Sequence, residues 1–586
     1  MKMKYNPKLF NALHKLTASA LLLSSPFATA IEPTTPNVGN LLQQIQPTKP
    51  LPPSSNESGL KIEEEGNAAN KEKAQPEVTF EIKSISIFGN EKIDTATLHA
   101  LVADAEGKSI TLTGLQGLAA RITDYYHNQG FIVSQAYIPE QDIQLGVVRI
   151  DVIEVKYSKI LLENHSRVDT GLLEDTLSNL KSGQIIESTQ LNHDLFMLSD
   201  IPGLSNTSVL KPGETFGTSN LATTTETLQN VSGNLQVDNY GNRYTGRTRG
   251  SANFNVYNPL HHGDVLSIGG LSSGEGMDYG NLGYETLLNG LGTRAGVAYT
   301  ALQYQINGAL SELHATGDAQ VANVWAKQPL IRSRDLNLFG RIDYNHVELR
   351  DKVGVGDINT FRHLDFGALS FSGDKLDQLF NHIAISDSDN GNKNTWNLTW
   401  TAGNLSFDNP EAQITNAASA KTQGLFSKWN ANFSRIQTLS LYDQLYLAFS
   451  GQWAMDNLDS SRKLIVGGPY TVRAYDMGAI TGDTGYIGTA EFRHNFPDSE
   501  YGRWTAVAFV DGAYVQVNAH AWSGGPNNAT LSGAGAGLNW LSPRIDWLIK
   551  SNLYTKAYVA APFGPTPALV GATDSVRGWA EIGLSF

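Results

Sequence analysis

From about Asn230 to the end of the chain, apolar and polar residues alternate with a period of two. In "DLNLFGRIDYN", Leu336, Leu338, Gly340, Ile342 and Tyr344 take one phase, and Asn337, Phe339, Arg341, Asp343 and Asn345 the other. "TWNLTWTAGN" sets Trp396, Leu398, Trp400 and Ala402 against Asn397, Thr399, Thr401 and Gly403. "QLYLAFSGQW" sets Leu445, Leu447, Phe449 and Trp453 against Gln444, Ala448, Ser450 and Gln452. Successive side chains of a strand point to opposite faces, so each segment has one apolar and one polar face. A polar second face and aromatic residues at segment ends favour a membrane-spanning barrel over a soluble sandwich, whose inner face would be apolar. At roughly 22 residues per strand and connection, residues 230–586 predict about 16 antiparallel strands. The last segment, "RGWAEIGLSF", keeps Ala580, Ile582, Leu584 and Phe586 in phase, and the terminal Phe586 reads as the signal of the barrel-closing strand.

Before residue 230 helical periodicity appears, in two units of about 75 residues at 78–155 and 156–229, each ordered β-α-α-β-β. The first runs from "FEIKSISIFGN" into a helix opened by Asp94 or Thr95, with Leu98, Leu101 and Val102 on one face. A second helix carries Leu115, Leu118, Ala119 and Ile122 and is closed by Gly130; "FIVSQAYIP" and "GVVRIDVIEV" follow as strands. The second unit has "SKILLEN", helices through Leu173, Leu177 and Leu180 and through Leu191, Leu195 and Leu198, then "LSNTSVLKPG" and "TSNLATTTETL". Each predicts a small sheet with helices on one face, whose unpaired edges can accept an extended chain.

Ahead of these units the chain is rich in Pro, Asn, Ser and Glu, which reads as flexible linker over 47–77. Residues 31–46 are different. In "TPNVGNLLQQIQP", Thr35 is placed to cap, Pro36 suits the first helical position, and Val38, Leu41, Leu42 and Ile45 share one face before Pro47. This short amphipathic helix has no domain in which to bury its apolar side; a mobile plug or docking helix and a linker remnant both fit. Residues 1–30 combine Lys2, Lys4, Lys8 and Lys15 with a short apolar stretch and "ATA", the pattern of a secretory signal cut after Ala30, so the mature chain is exported across an inner membrane.

Composition then removes several functions. The chain has no cysteine, which excludes a disulfide scaffold and a thiolate metal site. A net charge of -14 argues against a nucleic-acid partner, which needs a basic face. There is no Walker loop, "GLSSG" at Gly270–Gly274 lies between strands rather than before a helix, and His261 and His262 have no third ligand at a sensible spacing. No catalytic residue, metal site or cofactor is implied.

One stretch breaks the strand pattern. "GGPYTVRAYDMGAITGDTG" is too rich in Gly, Pro and Asp for a strand and reads as a long loop over about 465–486. Val472 and Tyr475, flanking the lone Arg473, suggest a tip that packs inside something, and the barrel lumen is the available interior. In "RWTAVAFVDGAYV", if Trp504, Ala506, Ala508 and Val510 face outward, Asp511 faces the lumen. A salt bridge between Arg473 and Asp511 is the expectation; a unit pair at about 4 Å with an effective dielectric near 20 gains about 4 kcal/mol before desolvation.

With these residues in hand, the chain resembles the outer-membrane transporters of two-partner secretion, the TpsB-type exporters of filamentous haemagglutinins, haemolysins and contact-dependent-inhibition proteins. They belong to a superfamily of barrels preceded by polypeptide-transport-associated (POTRA) domains. "VSGNLQVDNYGNRYTG", "MLSDIPGL", "TVRAY", "TAEFRHNF" and "FVDGAYV" carry the resemblance over nearly all of the mature chain. The family's loop motif is Val-Arg-Gly-Tyr or Phe; Val472, Arg473 and Tyr475 match it and Ala474 replaces the glycine. "VRGW" at Val576–Trp579 copies the glycine but lies in the closing strand, where it reads as coincidence. The resemblance implies a translocator in the Gram-negative outer membrane. It would capture one large unfolded TpsA-type exoprotein through that partner's N-terminal secretion domain and pass it through the barrel. It implies further contacts with outer-membrane lipid and, during biogenesis, with the barrel-assembly machinery. An assembly factor of the same superfamily is the main alternative and a passive porin the second.

Overall fold

The computed structural model describes residues 36–45, 60–62, 79–143, 146–377, 379, 392–546, 550–571 and 573–586. The signal segment 1–30 and most of the 47–77 linker lie outside the described residues.

Sixteen strands close into one barrel, from Val231–Asp238 to Arg577–Ser585, and the first pairs antiparallel with the last. Closure follows from the alternation, because a sheet with one apolar face in lipid cannot leave an open edge there. Ile342, Tyr344, Leu398, Trp400, Phe449 and Trp453 all project outward and are exposed. Among the described residues no helix is long and apolar enough to cross a membrane, and the crossing is made by strands. The wall is uneven: five residue pairs join first strand to last, while Leu336–Val353 and Ile358–Asp377 pair over eighteen.

The two helical units stand at one end of this barrel. In the first, Ser84–Phe88 pairs parallel with Val147–Ile153, which pairs antiparallel with Gln135–Tyr137. The helix Leu112–Asn128 buries Leu115, Leu118, Ala119 and Ile122 against Val148 and Ile150. "FEIKSISIF" is not one strand as expected. It breaks at Ile82, which is fully buried and bonded to Lys108, so that Thr79–Glu81 pairs instead with a further strand, Ser109–Thr111. One oxygen of the buried Glu154 carboxylate accepts from Tyr126 Oη (2.7 Å) and from the backbone of Glu91 (2.9 Å) and Lys92 (2.8 Å), tying the first loop to the long helix. Burial and this carboxylate push the Tyr126 phenol well above its ordinary range. Glu154→Ala leaves three donors unmet and is expected to cost about 2–3 kcal/mol, seen as earlier protease cleavage within 79–155 of the full-length protein.

In the second unit Lys156–His165 pairs parallel with Thr218–Thr227, which pairs antiparallel with Leu204–Pro212. The far side of Leu204–Pro212 is not free. Leu60–Ile62, expected to be linker, pairs with it in parallel as a short strand. An unmade row of backbone groups recruits the nearest available chain, and here that chain is the protein's own.

This unit is bolted to the barrel. Arg332 makes a two-pronged pair with Asp200 (2.7 and 2.8 Å) and lies over the Phe196 ring. Asp175 accepts from Gly290 N (2.6 Å), and Asn258 Nδ2 donates to Pro202 O (2.9 Å). The barrel turns at 258–264, 288–293 and 333–335 therefore face the helical units, and the segment 455–483 belongs to the opposite end.

Candidate functional site

The segment 455–483 joins the strands Asp443–Ala454 and Thr484–Asn495 and folds back into the barrel. Its base is a short antiparallel pair, Leu464–Val466 with Ile480–Gly482. Part of the expected loop is thus strand, and the wall resumes at Thr484 rather than after residue 486. The tip turns on glycines: Gly467 and Gly468 have φ of +100° and +113°, and a Cβ on Gly467 would lie 2.3 Å from Asp476 O. Only glycine adopts that backbone without strain.

At the tip, Arg473 Nε and Nη2 donate to Asp511 at 2.8 and 2.9 Å, and the Arg473 backbone N–H donates to the same carboxylate at 3.1 Å. Nη1 donates to Glu491 at 2.6 Å. Asp511 and Glu491 come from neighbouring strands, Arg503–Gln516 and Thr484–Asn495, where Glu491 stands opposite Phe509. The Phe509 ring lies 3.3 Å below the guanidinium, and Trp579 Nε1 donates to Arg473 O at 2.7 Å. Arg473 is 6% exposed and Asp511 fully buried. One cation thus meets two carboxylates and an aromatic face, a geometry lysine could not reproduce.

Val472 and Tyr475 are buried with Val507, Phe509 and Leu531 against the same wall. The Ala474 methyl lies against Gly533, where an added Cβ would come within 2.4 Å, so the wall supplies the room that the alanine uses. Asp476, which the sequence reading did not single out, faces Arg247 (3.0 Å), Arg577 (2.9 Å) and Arg243 (3.8 Å). Arg577 and Trp579 belong to the "VRGW" segment set aside as coincidence; it is no second loop, yet both side chains touch the first one. Arg243 and Arg247 are more than two-fifths exposed, so solvent screens those pairs to at most about 1 kcal/mol each. Asp476→Asn is therefore expected to raise protease cleavage between Gly467 and Gly478 several-fold while the barrel keeps its heat-modifiable mobility.

The second element is the helix Val38–Gln44, inside the barrel. Asn37, not Thr35, caps it, its side chain accepting from Asn40 N; Thr35 and Gln46 lie outside the described residues. Val38, Leu41 and Ile45 are buried against the inward residues Leu302, Val347, Leu349, Leu364 and Phe366, with Leu42 partly buried beside them. Val38 N donates to Asp351 Oδ1 (2.8 Å), which also accepts from Tyr304 Oη (2.7 Å). The buried Arg362 joins Asp351 (2.8 Å) to Asp459 (2.6 Å), at the start of the infolded segment. Gln43 Nε2 donates to Ser460 O at 2.8 Å, and Gln44 lies against Gly478. The helix is therefore clamped between the wall and the same segment that carries Arg473.

Beside the helix a cavity of about 1700 Å³ runs along the lumen, lined by Gln43 and by polar wall residues such as Asn430, Asn432, Gln452, Asn539 and Thr505. Phe586 borders it, with its backbone paired to Gly233 of the first strand.

A profile described as "POTRA domain, ShlB-type" matches residues 80–155, and one described as "Haemolysin secretion/activation protein ShlB/FhaC/HecB" matches 217–335 and 383–540. The chain is 26% identical over 545 residues to the heme/hemopexin transporter protein HuxB of Haemophilus influenzae, covering 92% of this chain and 94% of that one. It is 25% identical over 514 residues to the outer membrane transporter CdiB of Escherichia coli, covering 83% and 82%. In three dimensions it resembles CdiB from Escherichia coli, with a TM-score of 0.66 at 20% identity over the whole of both chains, which is a likeness of fold.

Proposed function

This chain belongs to the ShlB/FhaC/HecB family of haemolysin secretion/activation proteins, and from that premise we propose how it moves a polypeptide across the outer membrane. It is a two-partner secretion translocator: the barrel sits in the outer membrane, the POTRA domains face the periplasm, and one large exoprotein leaves through the lumen. Our reading divides the chain into signal 1–30, plug helix 31–46, linker 47–77, POTRA domains 78–155 and 156–229, and barrel 230–586. The partner's unfolded N-terminal secretion domain is captured first. Its main chain adds to a sheet edge of the POTRA domains, such as Lys156–His165, which ends the second sheet, where hydrogen bonding is indifferent to sequence.

The observation that carries the reading is the helix Val38–Gln44 seated in the lumen of a barrel whose remaining cavity is polar. A helix held at one end by a single backbone donation, on one face by three buried side chains and on another by Gln43 at Ser460 can leave as a body. The loop tip at Arg473, Val472 and Tyr475 stays on the wall and keeps the conduit open in shape for an extended chain. The work done is transport rather than bond chemistry, and folding of the partner outside gives direction. Contacts with outer-membrane lipid follow from the apolar belt, and insertion by the barrel-assembly machinery would start at the closing strand ending in Phe586. The name of the HuxB relative points to heme/hemopexin as the partner's business, and the family resemblance to a contact-dependent-inhibition toxin, haemolysin or adhesin.

The test is to co-express the chain with the large exported protein encoded beside it, and to score protease-accessible partner on intact cells. Partner at the surface only when the translocator is present supports export. Equal surface partner without it removes the reading.

A further inference from the structure

The seat of the helix is chemically unlike the rest of the lumen. Inward positions along the open cavity are mostly polar, and the apolar patch of Val507, Phe509 and Leu531 lies under the loop tip, whereas the seat is made of Leu302, Val347, Leu349, Leu364, Leu405 and Phe426. In strands whose inward face looks onto water, leucine at adjacent inward positions has no solvent role. In the closed state these side chains are almost fully buried, in one cluster with Val38, Leu41 and Ile45 of the helix and Leu458 of the infolded segment. Once the helix leaves, the same apolar surface faces an aqueous channel, and the chain then passing along that channel is the exported one.

We propose that the vacated seat is a docking site for the exported polypeptide in transit, taking segments that present three or four apolar side chains along one face. This rests on the reading that the helix leaves during export. The present occupant defines what fits: a short stretch with apolar residues on one side and amides on the other, Gln43 and Gln44 among them. The end of the seat carries Asp351, whose carboxylate takes a main-chain N–H from Val38 and is held in place by Arg362. An acceptor aimed at a backbone donor, beside an apolar wall, recognises chain direction and amphipathic pattern rather than particular residues. The seat therefore serves many successive segments of one long substrate. By competing for the same surface, those segments also delay the return of the helix until the substrate has passed.

Two measurements decide this. In a chain lacking residues 36–45, where holding the helix is no longer a role, Leu349→Asn with Leu364→Asn is expected to lower partner secretion about tenfold, with heat-modifiable mobility as the check on folding. Unchanged secretion by the folded double variant overturns the proposal. The second uses the full chain, which contains no cysteine. With Ala319→Cys at the seat and a single-cysteine partner stalled in the lumen, mild oxidation is expected to give a disulfide at apolar stretches of the partner and none when those stretches are replaced by Ser and Gly. Cross-links to Asn432→Cys on the polar wall but none to Ala319→Cys overturn it, and this arm decides alone if the shortened chain does not fold. Failure of the underlying reading looks different: the shortened chain would then show the same resting conductance as the intact one.

Discussion

Arg473→Ala is expected to reduce surface-exposed partner by about a hundredfold or more while the barrel still inserts and closes. The arginine pairs with two carboxylates, Asp511 at 0% and Glu491 at 7% exposure; removing it leaves Asp511 charged and out of water without its cation, while Glu491 keeps Arg493 at 2.7 Å. Breaking a buried pair in this way costs roughly 3–5 kcal/mol. The barrel's ladders do not depend on the loop, so the cost falls on the balance between docked and undocked tip. At 1.4 kcal/mol per tenfold, the lower figure already moves that balance about a hundredfold. Arg473→Lys should fall nearly as far, because one ammonium cannot serve two carboxylates and the Phe509 face together. Asp511→Asn should be milder, since Glu491 still matches the charge. The measurement is surface partner per folded translocator, beside protease access to Gly467–Gly478. A docked, protected tip in the alanine variant together with normal export would mean the charge cluster is no working part.

Gly39→Val is expected to hold the channel open at rest. A Cβ at this position would lie 2.5 Å from Ser460 Oγ and 2.7 Å from the Ser461 backbone nitrogen, and backbone cannot step aside. Valine adds two further carbons, so the helix must lift from the infolded segment, losing the Gln43 contact and the packing of Leu41. Burial of a side chain of that size contributes about 1.5–3 kcal/mol, comparable to what holds so short a helix in place. Planar-bilayer recordings should show resting conductance close to that of a chain lacking residues 36–45. A quiet channel in the valine variant, with a conducting deletion, would show that the seat tolerates a shifted helix.

The barrel was readable because lipid demands an apolar residue at every second position, and "TWNLTWTAGN" or "RGWAEIGLSF" offers nothing else to explain that phase. Arg473 and Asp511 could be named together because one sits in a Gly-rich break and the other on the inward phase of a strand. Glu491 was missed although "TAEFRHNF" displays it: its phase is inward too, but its place beside Asp511 depends on register, which the strand sequences alone leave open. Asp476 meets arginines more than two hundred residues before it and about a hundred after it, and no local pattern signals that. The seat did leave a trace, in the buried inward Val347 and Leu349 of "HVELR", where an aqueous wall should be polar. The cap at Asn37 and the strand Leu60–Ile62 are local details that tertiary partners decide.

For the departure proposed above, the Leu60–Ile62 strand sets how far the helix can travel. Because these residues are fixed to the second POTRA domain, the leash on Ile45 is about fifteen residues, with a reach of no more than ~50 Å, rather than the whole stretch to Thr79. A ligand on so short a tether faces its site at an effective concentration in the millimolar range. Resealing is then a first-order event, independent of how many translocators the membrane holds, and even a weakly bound stopper returns promptly when the channel empties. Lengthening the leash would slow that return as a power of its length, and cutting it would turn a self-sealing pore into one that leaks after every substrate.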